Sequence, residues 1–389
     1  MKTRDEITAA RRKRRRKYQL RRFMTLVVSL MLLTGVILLI NSIQLYTFRD
    51  IGDYFKTAFS GGDGYPSMLV STKPLKVTAL KNAAAVLTDS ELIIKGNKGG
   101  ELLRAAHNYS NPSMQASGSR VLVYDSGNRG FSVYNRTSGL FYSESEYPII
   151  SADIAADGTV AVLTRGDRSV SQLLILSGKN YATLLTWYGA KGFPMNCGII
   201  DNGREVYVAS LIAVMGGIDT IFTTIDTVKL TQRSETVIPG TFMRAYESSE
   251  GYVVITDKGS YLYDRELKLK NKYEFSRIPV LRVSGEGGNL AIAFGDNQQP
   301  DINHIIVLSA ALEEILRIDS AGAVDDLCMA ADRFYQLSSG IIHEIKFDGE
   351  YTARYETQLK AYKVFLFGNK VSVLLSDRID RPEPYGITD

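Results

Sequence analysis

Polar side chains recur at five places about 40 residues apart in the central and C-terminal parts of the chain, each close to the start of a short apolar segment. They are Asp153, Asn196, Arg244, Arg282, Asp325 and Asp326. Carboxylates could donate or accept protons, whereas arginine and asparagine side chains could bind a polar group. If the fold brings these residues to one rim, the sequence predicts a binding site of mixed charge. Otherwise they are solvated, or they pair with one another to hold neighbouring elements in register.

The sequence lacks the motifs of several enzyme classes. His107, His304 and His343 lie far apart, so the spacing of a catalytic zinc site is absent. There is also no G-x-S-x-G elbow, no P-loop and no G-x-G-x-x-G after a predicted strand. We therefore predict no metal, no cofactor and no catalytic residue, and we favour a non-catalytic binding module over an enzyme.

A repeated hairpin would position the polar residues. Each copy is an apolar strand, a turn and a second strand, and the turns fall near Asn82, Gly118, Gly158, Gly203, Gly251, Gly288, Asp332 and Asn369. A spacing of roughly 36 to 48 residues is typical of four-stranded propeller blades. The sequence thus predicts an all-β, eight-bladed β-propeller over residues 65–377, with seven blades as the alternative if one hairpin belongs to a neighbouring blade.

The ends of this predicted ring need closing. The last copy is followed only by the polar tail 378–389, so we expect Ser67–Ser71, ahead of the first hairpin, to cover its exposed edge. Cys197 and Cys328 fall in the fourth and seventh copies, three blades apart, and are predicted to be buried free thiols.

The N-terminal region predicts a membrane anchor. Phe23–Ile40 is eighteen residues without a charge, long enough as a helix to cross a bilayer, whereas the apolar part of a cleaved signal is usually shorter. We assign residues 1–22 to a basic cytoplasmic tail, 23–43 to a single transmembrane helix and 44–64 to a linker. Basic residues beside a span stay in the cytoplasm, which predicts a single-pass plasma-membrane protein with an extracytoplasmic C-terminal domain.

The charge distribution argues against nucleic-acid binding by the predicted propeller. Residues 1–22 hold eleven Lys or Arg against two acidic residues, so the rest of the chain has 35 basic and 40 acidic residues. A phosphate-binding surface needs a basic excess on the folded domain.

Two predicted blade ends resemble a known repeat. YNRTSGLFYSE, with Asn135, Thr137 and Gly139, and LSGKNYATLLTWYG, with Trp187, resemble the D-x-x-T-G-x-x-x-W blade ending of quinoprotein-type propellers, a group that includes outer-membrane assembly lipoproteins. The order of basic tail, single span and propeller is similar to that of uncharacterised membrane-anchored β-propellers of Gram-positive bacteria. These resemblances imply a propeller and transfer no catalytic residue.

Two functions remain open from the sequence. The first is a membrane-tethered extracytoplasmic scaffold or binding module for a protein or a cell-envelope polymer. The alternative is a quinoprotein-like or carbohydrate-active enzyme that uses carboxylates on the channel face, for which Asp153, Asp325 or Asp326 would have to converge in a deep pocket.

Overall fold

A computed structural model describes residues 17–36 except Leu20, 48–69, and 73–384 except Arg168, Arg277, Asn297 and Asn369. The chain forms two compact units, Met1–Ile51 and Gly52–Asp389. Most of the predicted basic tail and residues 37–47 lie outside the described part of the chain.

The first unit contains helix α1 (Lys17–Val36), which is long and apolar enough to cross a membrane by length and composition. A signal sequence would satisfy the same criteria. The helix begins before the predicted span at Phe23, and the last part of that span lies outside the described residues.

The second unit begins within helix α2 (Phe48–Ala58) and is an eight-bladed β-propeller, as the sequence predicted. Each blade is a four-stranded antiparallel sheet. In the first seven blades the strands follow the chain order outward from the centre, and the first strands of neighbouring blades pack together around a central channel.

The first four blades comprise strands β2 to β17. Their bounds, in chain order, are Pro74–Leu80, Ala83–Thr88, Glu91–Gly96 and Glu101–Ala106; Pro112–Ser117, Arg120–Asp125, Gly130–Asn135 and Gly139–Glu144; Ile149–Ile154, Val160–Thr164, Ser171–Leu176 and Thr183–Gly189; Phe193–Ile200, Glu205–Val214, Gly217–Asp226 and Thr231–Pro239.

Blades five to seven comprise strands β18 to β29. Their bounds are Phe242–Ser248, Gly251–Thr256, Gly259–Tyr263 and Leu269–Glu274; Val280–Glu286, Asn289–Asp296, Gln299–Leu308 and Glu314–Asp319; Asp326–Met329, Arg333–Ser338, Ile341–Lys346 and Tyr351–Glu356.

The eighth blade closes the ring with both ends of the domain. It contains β30 (Lys363–Phe367), β31 (Lys370–Leu374) and β32 (Arg378–Asp380), and its outer strand is β1 (Ser67–Met68). Ser67 pairs with Ile379, so the expected closure by the segment ahead of the first hairpin is confirmed. Strand β32 lies in the segment assigned from sequence to the tail.

The hydrophobic core lies between the blades. Second strands are apolar on both faces because each face packs against another blade, and every residue of β3 is buried. Leu87 and Leu92 of the first blade, for example, share a cluster with Met114 and Val121 of the second. This packing fixes the positions of the inner strands.

A β-bulge near the start of the first strand recurs in five blades. Its extra residues are Leu75, Ile150, Met195, Met243 and Leu281. A bulge redirects the side chains beside it and is common next to functional sites. We call the face of the ring at which the first strands begin the entrance face.

Helix α2 is attached to the opposite face. The Arg136 guanidinium donates from Nε and Nη2 to Asp53 Oδ2 at 2.9 and 2.7 Å, and from Nη1 to the Lys81 carbonyl at 2.7 Å. The paired side chains are 5% and 2% exposed. Lys81 and Arg136 lie in turns at the far ends of β2 and β8, away from the entrance face.

Candidate functional site

Eight equivalent positions on the inner strands carry polar side chains around the central channel, six of them at least partly exposed and two, Ser151 and Asp326, buried. In each blade this residue lies near the start of the first strand and pairs with a residue near the end of the second strand. We call this set the channel ring. In blade order its residues are Lys76, Ser113, Ser151, Asn196, Arg244, Arg282, Asp326 and Lys363. All eight are polar and four are basic, so the ring carries a positive excess.

The structure places four of the six predicted site residues in the channel ring: Asn196, Arg244, Arg282 and Asp326. Asp153 lies two residues after Ser151 on the same strand, and Asp325 immediately precedes Asp326. Sequence reasoning missed the two lysines of the ring, Lys76 and Lys363.

Lys76 is held by the second blade and surrounded by charge. Its Nζ donates to the Met114 carbonyl at 2.7 Å and lies 3.4 Å from Gln115 Oε1. Burial, reinforced by repulsion from Arg244 and Lys363, lowers the pKa of Lys76 to about 8, while Asp153 acts in the opposite direction. Because Arg244 belongs to the fifth blade, four positions away in a ring of eight, the cations act on one another across the channel.

The arginines of the channel ring contact the following blade. Arg244 donates from Nη1 to the Tyr246 hydroxyl at 3.1 Å and to the Val283 carbonyl at 3.4 Å. Arg282 donates from Nε to the Asp325 carbonyl at 2.8 Å. Both arginine side chains are exposed to solvent. These contacts can hold neighbouring blades in register and also fix the directions of the guanidinium groups.

The carboxylates of Asp326 and Asp325 accept hydrogen bonds from an adjacent strand and a turn, respectively. Asp326 accepts from Lys363 Nζ at 3.1 Å and from the Val364 amide at 2.9 Å. Asp325 accepts from the Ser339 amide at 2.8 Å. These two residues therefore support local structure in the seventh and eighth blades.

The Asp153 carboxyl group lies in surroundings that favour its neutral form. Burial raises the pKa of Asp153 to about 6, although the Ile199 and Ile154 amides and the charge of Lys76 favour the ionised form. The Ile199 amide donates to Asp153 Oδ2 at 2.8 Å, which joins the third blade to the fourth.

Gly198 makes room for an aromatic ring beside the channel. The Tyr207 hydroxyl donates to Asn196 Oδ1 at 3.1 Å, and a Cβ on Gly198 would come within 2.4 Å of the Tyr207 ring. Burial raises the pKa of Tyr207, so its hydroxyl remains a hydrogen-bond donor at neutral pH.

Both cysteines are free, as predicted. Cys197 is buried, whereas Cys328 is only half-buried. Within the described residues, no group of three or more His, Cys, Asp or Glu side chains is arranged to hold a metal ion.

Comparisons with known proteins agree with the fold. The model of a family of unknown function, DUF5711, matches residues 65–381. No curated protein matches the sequence significantly. The crystal structure of BamB from Moraxella catarrhalis is similar at 12% identity and a TM-score of 0.54, over 82% of this chain and 98% of that one.

Two further solved structures are similar to the chain. Saccharomyces cerevisiae Sqt1 has 7% identity and a TM-score of 0.62, over 83% of this chain and 100% of that one. The C-terminal WD40 domain of Sif2 has 10% identity and a TM-score of 0.59, over 83% and 100% of the two chains. At these identities the similarity shows the propeller fold alone.

Proposed function

The chain belongs to the DUF5711 family of unknown function, and because the matched segment contains every strand of the ring, we propose its function from the propeller itself. It is a membrane-tethered, non-catalytic binding or scaffold module, and its partner meets the entrance face and the mouth of the channel.

The channel ring is the observation that carries this proposal. A closed propeller needs apolar contacts between blades, but it does not require a polar residue at the same inner position of all eight. The hydrogen bonds that Arg244 makes to the described residues all start from Nη1, which leaves Nε and Nη2 without a protein acceptor among them. Such oriented donors on a rigid scaffold suit recognition of a partner.

The positions of the carboxylates favour binding over the enzyme alternative. Asp153, Asp325 and Asp326 each accept a backbone amide hydrogen bond, and Asp326 is additionally paired with Lys363. Asp153 belongs to the third blade and the other two to the seventh, on opposite sides of the ring. Paired catalytic carboxylates would instead face one substrate at short range.

Helix α1 and the basic residues before it support the tether. A helix of this length and composition would span the bilayer, and the basic tail would keep the N-terminus in the cytoplasm with the propeller outside. The acidic excess outside the first 22 residues supports a partner other than nucleic acid.

Site-specific photo-crosslinking in intact membranes tests the binding function. A photoreactive residue at Met243, on the entrance face, should yield a discrete crosslinked species. The matched control is Leu269, a similarly exposed apolar residue on outer strand β21. Absence of a Met243 product, or equal products from both positions, would overturn the proposal.

Protease protection tests the tether. Protease added outside intact cells should remove the propeller and spare an N-terminal tag, and alkaline washing should leave the full chain in the membrane pellet. Release by alkali, or protection of the propeller, would contradict the assigned placement.

A further inference from the structure

An apolar residue precedes the channel ring in six of the eight blades. We call these residues the apolar rim: Leu75, Ile150, Met195, Met243, Leu281 and Tyr362. Ile150 and Leu281 are half-buried, whereas Leu75, Met243, Tyr362 and Met195 are 52%, 42%, 42% and 38% exposed. Six apolar residues thus surround the mouth of a polar channel.

In five of these six blades, all except the eighth, a bulge produces this arrangement. The extra residue lies outside the ladder at the entrance face, and the next residue pairs again and belongs to the channel ring. Leu75 is followed by Lys76, for example, and Met243 by Arg244. Each blade with a bulge therefore has an apolar side chain at the entrance face and a polar side chain one residue further into the channel.

A long hairpin extends the apolar surface. Strands β15 and β16 continue past Phe193, the first residue of β14, so the tip of the hairpin projects beyond the entrance face. Val214 and Ile218 are exposed near this tip, and Met215 is fully exposed. Exposed apolar groups beside a channel mark an interaction surface more often than isolated ones do.

Positive charge lies behind the rim. Lys76 of the first blade is repelled by Arg244 of the fifth blade and by Lys363 of the eighth. Asp326 is paired with Lys363, and the Asp153 carboxylate receives the Ile199 amide. An incoming anion would therefore relieve the repulsion between Lys76 and Arg244, which the rigid ring holds on opposite sides of the channel.

We propose that the entrance face docks a protein segment in which an acidic side chain is flanked by apolar residues. The carboxylate enters the channel between Lys76 and Arg244, and the flanking side chains pack on the apolar rim. This inference rests on the proposed binding function and specifies the chemistry of its partner.

The rim is the reason for choosing a protein segment over a polyanionic polymer. A polymer with regularly spaced anionic groups could neutralise the cations but would leave the exposed Leu, Met and Tyr side chains in water. An acidic–apolar segment is complementary to both features, and methionines on a surface adapt well to apolar partners.

A displayed library of random peptides, selected on the full chain in detergent, tests this inference. Selected peptides should be enriched in Asp or Glu with Leu, Ile, Met or Phe within two positions. Synthetic versions should bind at least tenfold more weakly to K76M and R244M than to the wild type, a loss of about 1.4 kcal/mol or more, as expected for central contacts of an interface. K270M, at an exposed lysine of β21, is the charge-matched control and should bind normally.

The rim is tested separately with variants that should not disturb folding. Leu75→Ser and Met243→Ser should each weaken the same peptides several-fold, whereas Leu269→Ser should not, because all three residues are exposed but only the first two belong to the rim. Circular dichroism of each variant checks that the ring is intact.

Three outcomes would overturn the inference. In the first, the selected peptides are not enriched in Asp or Glu. In the second, acidic peptides bind K76M and R244M as tightly as the wild type. In the third, inorganic polyphosphate competes with the peptides and binds the rim variants as tightly as the wild type. If any of these occurs while Met243 still yields its specific crosslink, the partner chemistry is wrong and the binding function stands. Loss of that crosslink removes the proposed function itself.

Discussion

The pKa of Lys76 depends on how closely the cations of the channel approach one another, and it can be measured. Burial is the main cause of its low pKa, about 8, and Arg244 is the strongest charged contributor. Arg244→Met removes the largest repulsive contribution to the ionised Lys76, and a unit charge acting through an effective dielectric constant of about 20 typically shifts a nearby pKa by about one unit, so we expect the pKa of Lys76 to rise by about that amount. Because burial remains, the value should stay below that of an ordinary lysine.

Competitive acetylation measures this shift. At pH 8 about half of the Lys76 amine is neutral, whereas an ordinary lysine with a pKa of about 10.4 is less than about 1% neutral. The extent of Lys76 acetylation between pH 6 and 11 is followed by mass spectrometry in the wild type, R244M and the control K270M. A Lys76 that titrates near pH 10.4 in the wild type, or a midpoint that R244M leaves unchanged, would refute convergence in the channel.

The lowered pKa of Lys76 also makes the free energy of unfolding depend on pH. The folded chain releases the Lys76 proton near pH 8, and the unfolded chain retains it to about pH 10.4, so between these values the free energy of unfolding rises with pH. Below pH 8 the cost of the buried charge is fully present. Lys76→Met removes a penalty of roughly 3 kcal/mol and loses one hydrogen bond worth about 1 kcal/mol, so this variant should be more stable than the wild type at pH 7. Urea unfolding followed by the fluorescence of Trp187, the only tryptophan, measures the difference, which should shrink towards pH 10.

Two further variants test the packing around the ring. Asp53→Ala leaves the Arg136 guanidinium without its carboxylate, so it should weaken the attachment of α2 by about 3–5 kcal/mol and speed up hydrogen exchange in that helix. The double variant D53L/R136M should recover most of this loss, because no unpaired charge remains. A double variant whose helix exchanges as fast as that of D53A would contradict this. Gly198→Ala should cost about 1–3 kcal/mol by displacing the Tyr207 ring. Gly217→Ala is its control, because a Cβ there meets nothing closer than 3.8 Å, and equal melting temperatures for the two glycine variants would show that the Tyr207 ring is not constrained.

The eight blades could be predicted because each one repeats the same requirement, an inner strand and a largely buried second strand joined by a tight turn. The eight hairpins recognised in the sequence are the first two strands of the eight blades. The closing strand β1 followed from the need to cover an open edge.

The residues of the channel were harder to predict. Lys76 and Lys363 immediately precede the apolar strands by which the first and last repeats were recognised, at the position that Asn196 and Asp326 occupy in theirs. A comparison of that single position across all eight copies would have found the two lysines. The bulges could not be predicted, because whether the ladder skips Leu75 or Met243 depends on pairing with the second strand and not on residue type.

Pairing of Ser67 with Ile379 also sets the order of events during biosynthesis. Strand β1 leaves the ribosome first and must wait for β32, which at about 5–20 residues per second takes on the order of tens of seconds. During this interval the earlier blades can stack on one another, but the ring stays open, with an unpaired edge and an uncovered apolar face. A chain that is delivered across a membrane as it is made would therefore complete its propeller only after its last strand has been delivered, and chaperones that protect exposed edges would act within this interval.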